Sequence, residues 1–278
     1  MTAPARPPAA PSATATAADL AFATDLAREA GRLLMERYER VERVDYKSAR
    51  DIVTEVDHLS EELIIAAIRE RHPGDGIQAE ESGDHASAEG HAPAAGNGRV
   101  WIIDPVDGTI NYANGIPFFC VSIGLAVDGR PSVGVVFDPS RAELFAATAD
   151  GPATLNGEPI EASDKDKMTD FVVQMALSGR AAVSRTRAVR KAIRISRSMG
   201  SSALALAYVA NGRFDAFIQQ GGMSNWDVAA AGLIAERAGA TVTAMDGGPW
   251  FDIGRKSRGV GAVAAPAAHH ATLLALTK

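Results

Sequence analysis

The stretch WIIDPVDGTINY, residues 101–112, sets the reading of the whole chain. The run Val100, Trp101, Ile102, Ile103 has the apolar, β-rich character of a buried strand, yet it leads directly into Asp104, Pro105, Asp107, Gly108 and Thr109. A strand end has no structural need for two carboxylates and a hydroxyl. In α/β architectures, however, ligands gather beyond the carboxyl ends of strands. Pro105 fixes its own φ and biases Asp104 toward extended backbone. That arrangement aims both acids and the Val106 carbonyl toward one point, with Thr109 close by.

Working outward, residues 18–40 carry Leu20, Leu26, Ala30, Leu33, Leu34 and Tyr38 at helical spacing. A second helix is predicted over 58–71, with Asp57 as N-cap, Glu61 and Glu62 in its first turn and Pro73-Gly74 as its stop. A short strand, GIQAE (76–80), precedes a loop rich in Gly, Ala and His at 83–98. After the opening stretch come CVSIGLAVDG (120–129), SVGVVFDP (132–139), AELFAAT (142–148) and ATLNGEPI (153–160). Asp-Gly, Asp-Pro and Asn-Gly turn signals separate them, the pattern of an antiparallel meander.

Beyond Ser163 strands and helices alternate: a strand at 171–176, a basic helix at 180–194, a helix at 201–211 and a strand at 214–219. A helix at 226–238, strands at 241–243 and 259–265 and a closing helix from residue 267 follow. The expectation is an α+β chain of two fused halves, 18–155 and 156–278, behind a disordered Ala/Pro/Thr/Ser tail over 1–17.

Composition narrows the function classes. With 278 residues, 46% hydrophobic and 22% charged, the chain reads as an ordinary globular protein. A formal charge of −6 argues against binding a nucleic-acid polymer. The single cysteine, Cys120, excludes an intramolecular disulfide and sits in FFCVSIGL (118–125) as a buried thiol would. Six histidines form no HExxH pattern, which sets zinc hydrolysis aside. No apolar run reaches the roughly 18 residues of a membrane span, and residues 1–17 lack the apolar core of a signal peptide. The cytoplasm is the expected location. The basic segment at 180–197 reads as a solvated helix face, with an anionic-partner surface as the alternative.

Acids recur where local pattern does not require them: Asp51 and Asp57 in DIVTEVD (51–57), Glu80 and Glu81 in AEES (79–82), Asp104 and Asp107, and Asp227 in NWDVAAAG (225–232). Singly, each has a structural reading, since Asp57 and Asp227 are good N-caps and Asp107-Gly108 a good turn. Gathered in one cleft they would repel one another unless cations neutralise them. Hard divalent cations prefer carboxylate, hydroxyl and carbonyl oxygens, and a pair of them forms the clamp used for displacement at phosphorus.

WIIDPVDGTINYAN (101–114) and WDVAAAGLIAERAGA (226–240) resemble the two signatures of the inositol monophosphatase family, and DIVTEVD and AEES resemble the two blocks that precede them in that order. The resemblance runs from about residue 20 to the end of the chain and implies a layered αβαβα fold. It also implies a Mg²⁺-dependent, Li⁺-sensitive phosphomonoesterase, usually a homodimer, with two or three Mg²⁺ per active site and a small phosphorylated polyol or sugar as substrate. Position by position, Glu80, Asp104, the Val106 carbonyl and Thr109 would surround one metal, while Asp104, Asp107 and Asp227 would hold a second. Asp57 and Thr109 would activate the attacking water, with Glu80 also in the catalytic set. The Gly108 and Thr109 amides would hold phosphate, and Gly200, Ser201 and Gln220 would face the substrate. Lys47 would sit on a loop near the site.

Two positions depart from the pattern. Ala79 stands where the family has Gly, which a strand tolerates. Gln220 stands where inositol-specific members have Glu, and an amide lacks the charge that strengthens a hydrogen bond to a diol. Histidinol-phosphate, fructose-1,6-bisphosphate and 3′(2′),5′-bisphosphate nucleotide phosphatases therefore stay open as alternatives. So does a regulatory, partner-binding protein on the same fold.

Overall fold

A computed structural model describes residues 15–41, 43–48, 51–86, 98–179, 182–255 and 258–278. Most of the expected tail lies outside them. The first helix, α1 (Ala17–Arg37), begins inside the span assigned to that tail, because Thr16 and Asp19 exchange capping hydrogen bonds there. A small antiparallel hairpin, β1 (Val44–Ser48) and β2 (Asp51–Thr54), leads into α2 (Glu55–Arg71). Then follow β3 (Gly76–Ala79), β4 (Gly83–His85), β5 (Arg99–Asp107), the short α3 (Thr109–Ala113), and β6 (Cys120–Val127), β7 (Arg130–Asp138) and β8 (Glu143–Thr148). The hairpin β9 (Thr154–Leu155) and β10 (Glu158–Pro159) ends the first sheet. The second part comprises β11 (Val172–Ala176), α4 (Ala182–Ala192), β12 (Ile195–Arg197), α5 (Ser202–Ala210) and β13 (Ala216–Met223). It closes with α6 (Asn225–Arg237), β14 (Ala240–Ala244), β15 (Val260–Pro266) and α7 (Ala267–Leu276).

Eight strands form one sheet in the order β10-β9-β8-β7-β6-β5-β3-β4, and five form a second in the order β12-β11-β13-β15-β14. Helices α1 and α2 cover the outer face of the first sheet, α5 and α6 lie between the sheets, and α4 and α7 cover the second. This is the layered αβαβα fold expected. The predicted meander is the antiparallel run β6 through β10, which β5 extends by pairing antiparallel with β6.

The middle layer explains its own sequence. A helix pressed between two sheets is apolar all round and must be thin. Every residue of α5 from Ala203 to Ala210 is buried, and α6 presents Ala229, Ala230 and Ala231. Glycines complete the fit from the sheet side. A Cβ on Gly134 would stand 2.6 Å from the Ala230 carbonyl oxygen, and one on Gly124 would stand 3.1 Å from the Ala229 Cβ. The close approach of α6 to β6 and β7 fixes the height of Asp227 above the sheet.

The β1–β2 hairpin had no sequence-level expectation, and two readings are corrected. The loop expected from residue 83 begins with strand β4, which pairs with β3, and the end of the basic segment expected as helix is strand β12, which pairs with β11. The predicted helix at 58–71 starts earlier, at Glu55, because Thr54 is the N-cap and Asp57 is its capping-box partner. The helix predicted at 226–238 likewise starts at Asn225 behind Ser224, with Asp227 at the third helical position.

Candidate active site

Parallel pairing of β3 with β5 sets Ala79 opposite Ile103, so Glu80 and Asp104 leave adjacent strand ends side by side. Asp104 and Asp107 are three residues apart, and a regular strand would turn them to opposite faces. The β5–β6 ladder breaks its register between them: Asp104 faces Ser122 and Asp107 faces Cys120, three steps against two. That extra residue is a β-bulge, which re-aims the chain, and Pro105 lies within it without an N–H to offer the ladder. Ser60 Oγ donates to the Pro105 carbonyl at 3.3 Å and Asp104 Oδ1 accepts the Val106 N–H at 3.1 Å, holding the bulge in shape. Asp104, Asp107 and Asp227 thereby bring a carboxylate oxygen each within 4.8 Å of one another.

These acids open onto a cleft of about 610 Å³, also lined by Glu80, Glu81, Gly108, Thr109, Gly200, Ser202, Trp226 and Arg258. Its lining sets five carboxylates against one arginine. Burial pushes Asp104 well above the ordinary carboxylate range, and the negative charges of Glu80, Asp107 and Asp227 push it further. Asp227 is raised well above that range by burial and then by Asp107. Burial raises Asp107 too, against hydrogen bonds from Ser201 and the start of α5. Oxygen donors packed so that each anion destabilises the next are chemically matched to a hard divalent cation, which removes the repulsion and takes carboxylate ligands. The donor set fits Mg²⁺.

Asp57 is fully buried, and both its oxygens are engaged. Oδ2 accepts the Thr54 N–H at 2.8 Å and the Thr54 hydroxyl at 2.5 Å; Oδ1 lies 2.9 Å from Thr109 Oγ1. The Thr109 oxygen is also 3.0 Å from the Val106 carbonyl. Burial raises the Asp57 carboxyl, opposed by the Thr54 and Thr109 hydrogen bonds.

Gly108 caps α3 with φ at +99°, a left-handed conformation that favours glycine. A Cβ there would stand 3.1 Å from the Phe118 carbonyl oxygen and 3.2 Å from the Ser201 Cβ. Asn111 ties the two flanking segments together, donating to the carbonyls of Phe118 and Met199, both at 2.7 Å.

The remaining expected site residues fall in different places. Gly200 lines the cleft, with φ at +85°. Ser201 is 2% exposed; its hydroxyl donates to Asp107 Oδ2 at 2.5 Å, and the Ala203 N–H donates to the same oxygen at 2.6 Å. Ser201 thus touches a cleft carboxylate, while its neighbour Ser202 lines the cleft itself. Gln220 lies on β13 outside the cleft lining, and its Oε1 is buried with no hydrogen-bond partner among the described residues. Lys47 belongs to β1, and its side chain lies outside the described residues. Sequence reasoning missed Trp226, Ser224, Gly222, His58 and Arg258 as cleft residues. Trp226 had a signal in its position beside Asp227. Arg258 had none, since strand β14 and the loop after it separate it from α6 in sequence, and its N–H reaches Ser224 Oγ at 2.9 Å only in the fold.

Cys120 is the buried free thiol expected. The basic segment forms α4 only over Ala182–Ala192, with Arg187, Arg190 and Lys191 exposed, and it ends in strand β12. Among the described residues, no helix is long and apolar enough to cross a membrane.

Comparison with known proteins agrees with this fold. The family model of the inositol monophosphatase family matches residues 17–278. The protein named Nus factor SuhB from Pseudomonas aeruginosa is 36% identical over 249 residues, covering 84% of this chain and 87% of that one. An inositol monophosphatase from Mesembryanthemum crystallinum is 34% identical, covering 80% of this chain and 84% of its own. Among solved structures, the extragenic suppressor protein SuhB of Bartonella henselae superposes with a TM-score of 0.85 at 30% identity, covering 94% of this chain and 99% of that one.

Proposed function

Because the chain belongs to the inositol monophosphatase family, we propose that it is a phosphomonoester hydrolase that uses Mg²⁺ to cleave a small polyol phosphate of the inositol monophosphate type. The observation that carries this reading is the convergence of three carboxylates on one point of a cleft whose wall holds Thr109, hydrogen-bonded to the buried Asp57 behind it.

Glu80, Asp104, the Val106 carbonyl, Asp107, Thr109 and Asp227 would hold the metals. Bound Mg²⁺ would neutralise charge on the phosphoryl oxygens and lower the pKa of a coordinated water. The protein's own groups do the rest. Asp57 accepts the Thr109 proton, which turns a lone pair of Thr109 Oγ1 outward to receive a proton from water. The Thr54 N–H and hydroxyl fix Asp57 from behind, so the pair keeps its geometry while the proton moves. The first amides of a helix have no partner within it, and those of Gly108 and Thr109 would orient the phosphate. Ser201 and the start of α5 occupy Asp107 Oδ2, leaving Oδ1 for the cleft.

Gly200, Ser202 and Arg258 line the part of the cleft where the rest of the substrate would lie. The histidinol-phosphate, fructose-1,6-bisphosphate and nucleotide bisphosphate alternatives stay open, because Gln220, in place of an acidic contact, lies outside that lining. A second reading has support in the relatives named Nus factor: a partner-binding protein on the same fold. Retention of every mutually repelling acid favours the phosphatase. The homodimer and the cytoplasmic location belong to the proposal as well.

The test is phosphate release from inositol 1-phosphate, fructose 1,6-bisphosphate, histidinol phosphate and adenosine 3′,5′-bisphosphate, with Mg²⁺ and with chelator, beside Asp107→Asn. Mg²⁺-dependent turnover that the variant loses supports the reading. No turnover from the folded protein in Mg²⁺ moves the choice to the partner-binding role.

A further inference from the structure

Glu61 lies in α2, close to the cleft but not in its wall, and is only 3% exposed. A buried carboxylate costs several kcal/mol unless its lone pairs are filled. Here they are filled by one short segment. Oε2 accepts the Glu81 N–H at 2.8 Å; Oε1 accepts the Ser82 N–H at 2.8 Å and the Ser82 hydroxyl at 2.5 Å. The Ser82 proton is committed to Glu61, so the 2.6 Å contact between Ser82 Oγ and His85 Nε2 has the histidine as donor. A chain of hydrogen bonds therefore runs from β4 through Ser82 into Glu61.

The segment held in this way is the loop of the β3–β4 hairpin. Ala79 pairs with Gly83, leaving Glu80, Glu81 and Ser82 as the turn, and Gly83 closes it with φ at +81°. Glu80 is the turn residue that lines the cleft beside Asp104. A three-residue turn has few ways to move one member without moving the next two. The N–H groups gripped by Glu61 belong to those next two residues.

We infer that Glu61 is the positioning residue for Glu80: its carboxylate clamps the 80–82 turn so that the Glu80 side chain stays aimed into the cleft, and it thereby sets the affinity for Mg²⁺. This rests on the reading of the cleft as a Mg²⁺ site. The grip needs an acceptor on both oxygens. Glutamine offers one, and its amide would confront an N–H with an NH₂. Residues that orient metal ligands from behind change metal affinity about 10–100-fold when replaced.

The experiment is calorimetric titration of the full chain with Mg²⁺ alone, for wild type, Glu61→Gln, Ser82→Ala and Trp101→Phe. Trp101 is a destabilised control remote from the cleft, where loss of the 2.9 Å bond to Asp75 lowers Tm without touching the turn. The expected result is an Mg²⁺ dissociation constant raised about 10–100-fold in Glu61→Gln and unchanged in Trp101→Phe. Turnover of Glu61→Gln should be restored by raising Mg²⁺, which separates loss of metal affinity from loss of chemistry. Wild-type affinity in a folded Glu61→Gln overturns the inference and leaves the site reading standing. A wild type that binds no Mg²⁺ overturns both. If Glu61→Gln does not fold, Ser82→Ala decides: weakening of about fivefold, the worth of one hydrogen bond, supports the clamp, and unchanged affinity removes it.

Discussion

Thr109 Oγ1 stands 2.9 Å from Asp57 Oδ1 across 52 residues of sequence, joining the start of α3 to the first turn of α2. One proton serves the contact, and the Val106 carbonyl at 3.0 Å is its other acceptor. Thr109→Val keeps the shape and removes the proton path. Steady-state phosphate release should show kcat reduced about 10²–10⁴-fold, the range of a lost general acid–base contribution, with KM little changed. A fall of only a few fold would take the pair out of the chemistry.

The cleft acids should behave as a store of repulsion that metal relieves. Asp104→Asn removes one charge from a site where burial and three neighbouring acids disfavour it. In chelator its Tm is expected to equal or exceed that of wild type. Added Mg²⁺ should raise the wild-type Tm, by the equivalent of about 2.7 kcal/mol at a hundred times Kd, and should leave the variant unmoved. Scanning calorimetry with and without Mg²⁺ reads both effects. A variant stabilised by Mg²⁺ as much as wild type would contradict the proposed ligand.

Gly134→Ala should couple packing to the site. Its new methyl would meet the α6 backbone at Ala230, with an oxygen at 2.6 Å and a Cα at 2.9 Å, atoms that cannot swing aside. Overpacking of this kind costs about 1–3 kcal/mol, measurable by urea denaturation. Helix α6 must lift to accept the methyl, and Asp227 rides on it. Mg²⁺ affinity is expected to weaken together with stability, and a purely local strain would leave affinity alone.

Acid sensitivity is expected from the far end of β5. Arg99 is paired there with Asp19 at 2.6 Å and Asp75 at 3.0 Å, all three largely buried. Burial works to raise the Asp19 carboxyl, but hydrogen bonds from Arg99 and Thr16 outweigh it and leave the group below its ordinary value. That stabilisation is complete above the unfolded value of about 3.9 and is lost as pH falls through the lower folded one. His72 lies beside the same acids, and burial depresses its pKa against their pull. The unfolded chain then binds a proton near pH 6.5 that the folded chain resists, so stability falls as pH drops below about 6.5. Comparing denaturation of wild type and His72→Gln from pH 7 to 5 isolates this limb, and parallel curves would refute it. Arg99→Met leaves two buried acids uncompensated and should cost about 3–5 kcal/mol.

The fold was legible wherever burial imposed a period. Buried β5 and β6 and the continuous buried runs of β7 and β8 announce themselves through apolar residues and turn chemistry, and so do the helices with one apolar face. The β1–β2 hairpin did not, because Val44, Asp45 and Tyr46 are exposed and no core face writes a pattern into them. Strand β12, three residues long and largely exposed, is silent for the same reason.

Within the site, Asp104, Asp107 and Asp227 could be read as acids out of place. Their convergence was an expectation from Pro105 and the family resemblance, while the bulge that produces it shows in sequence only as Pro105. The role of Ser201 was hidden by distance: 94 residues separate it from the carboxylate it touches. Three helix starts, at Thr16, Thr54 and Ser224, follow one local pattern, with Asp three residues beyond the cap. Assigning the cap to Asp57 and not to Thr54 shifted the predicted start of α2 by three residues.

That shared pattern bears on how such a protein can change over generations. Asp57 and Asp227 each accept the N–H of their cap residue, Asp227 while lining the cleft and Asp57 while bonded behind its wall to Thr109. Asparagine keeps a side-chain oxygen for that bond and drops the charge. On the proposed reading, a single exchange at either position would silence the chemistry while the helix still starts where it did, so this architecture would let a lineage discard catalysis and inherit the scaffold intact.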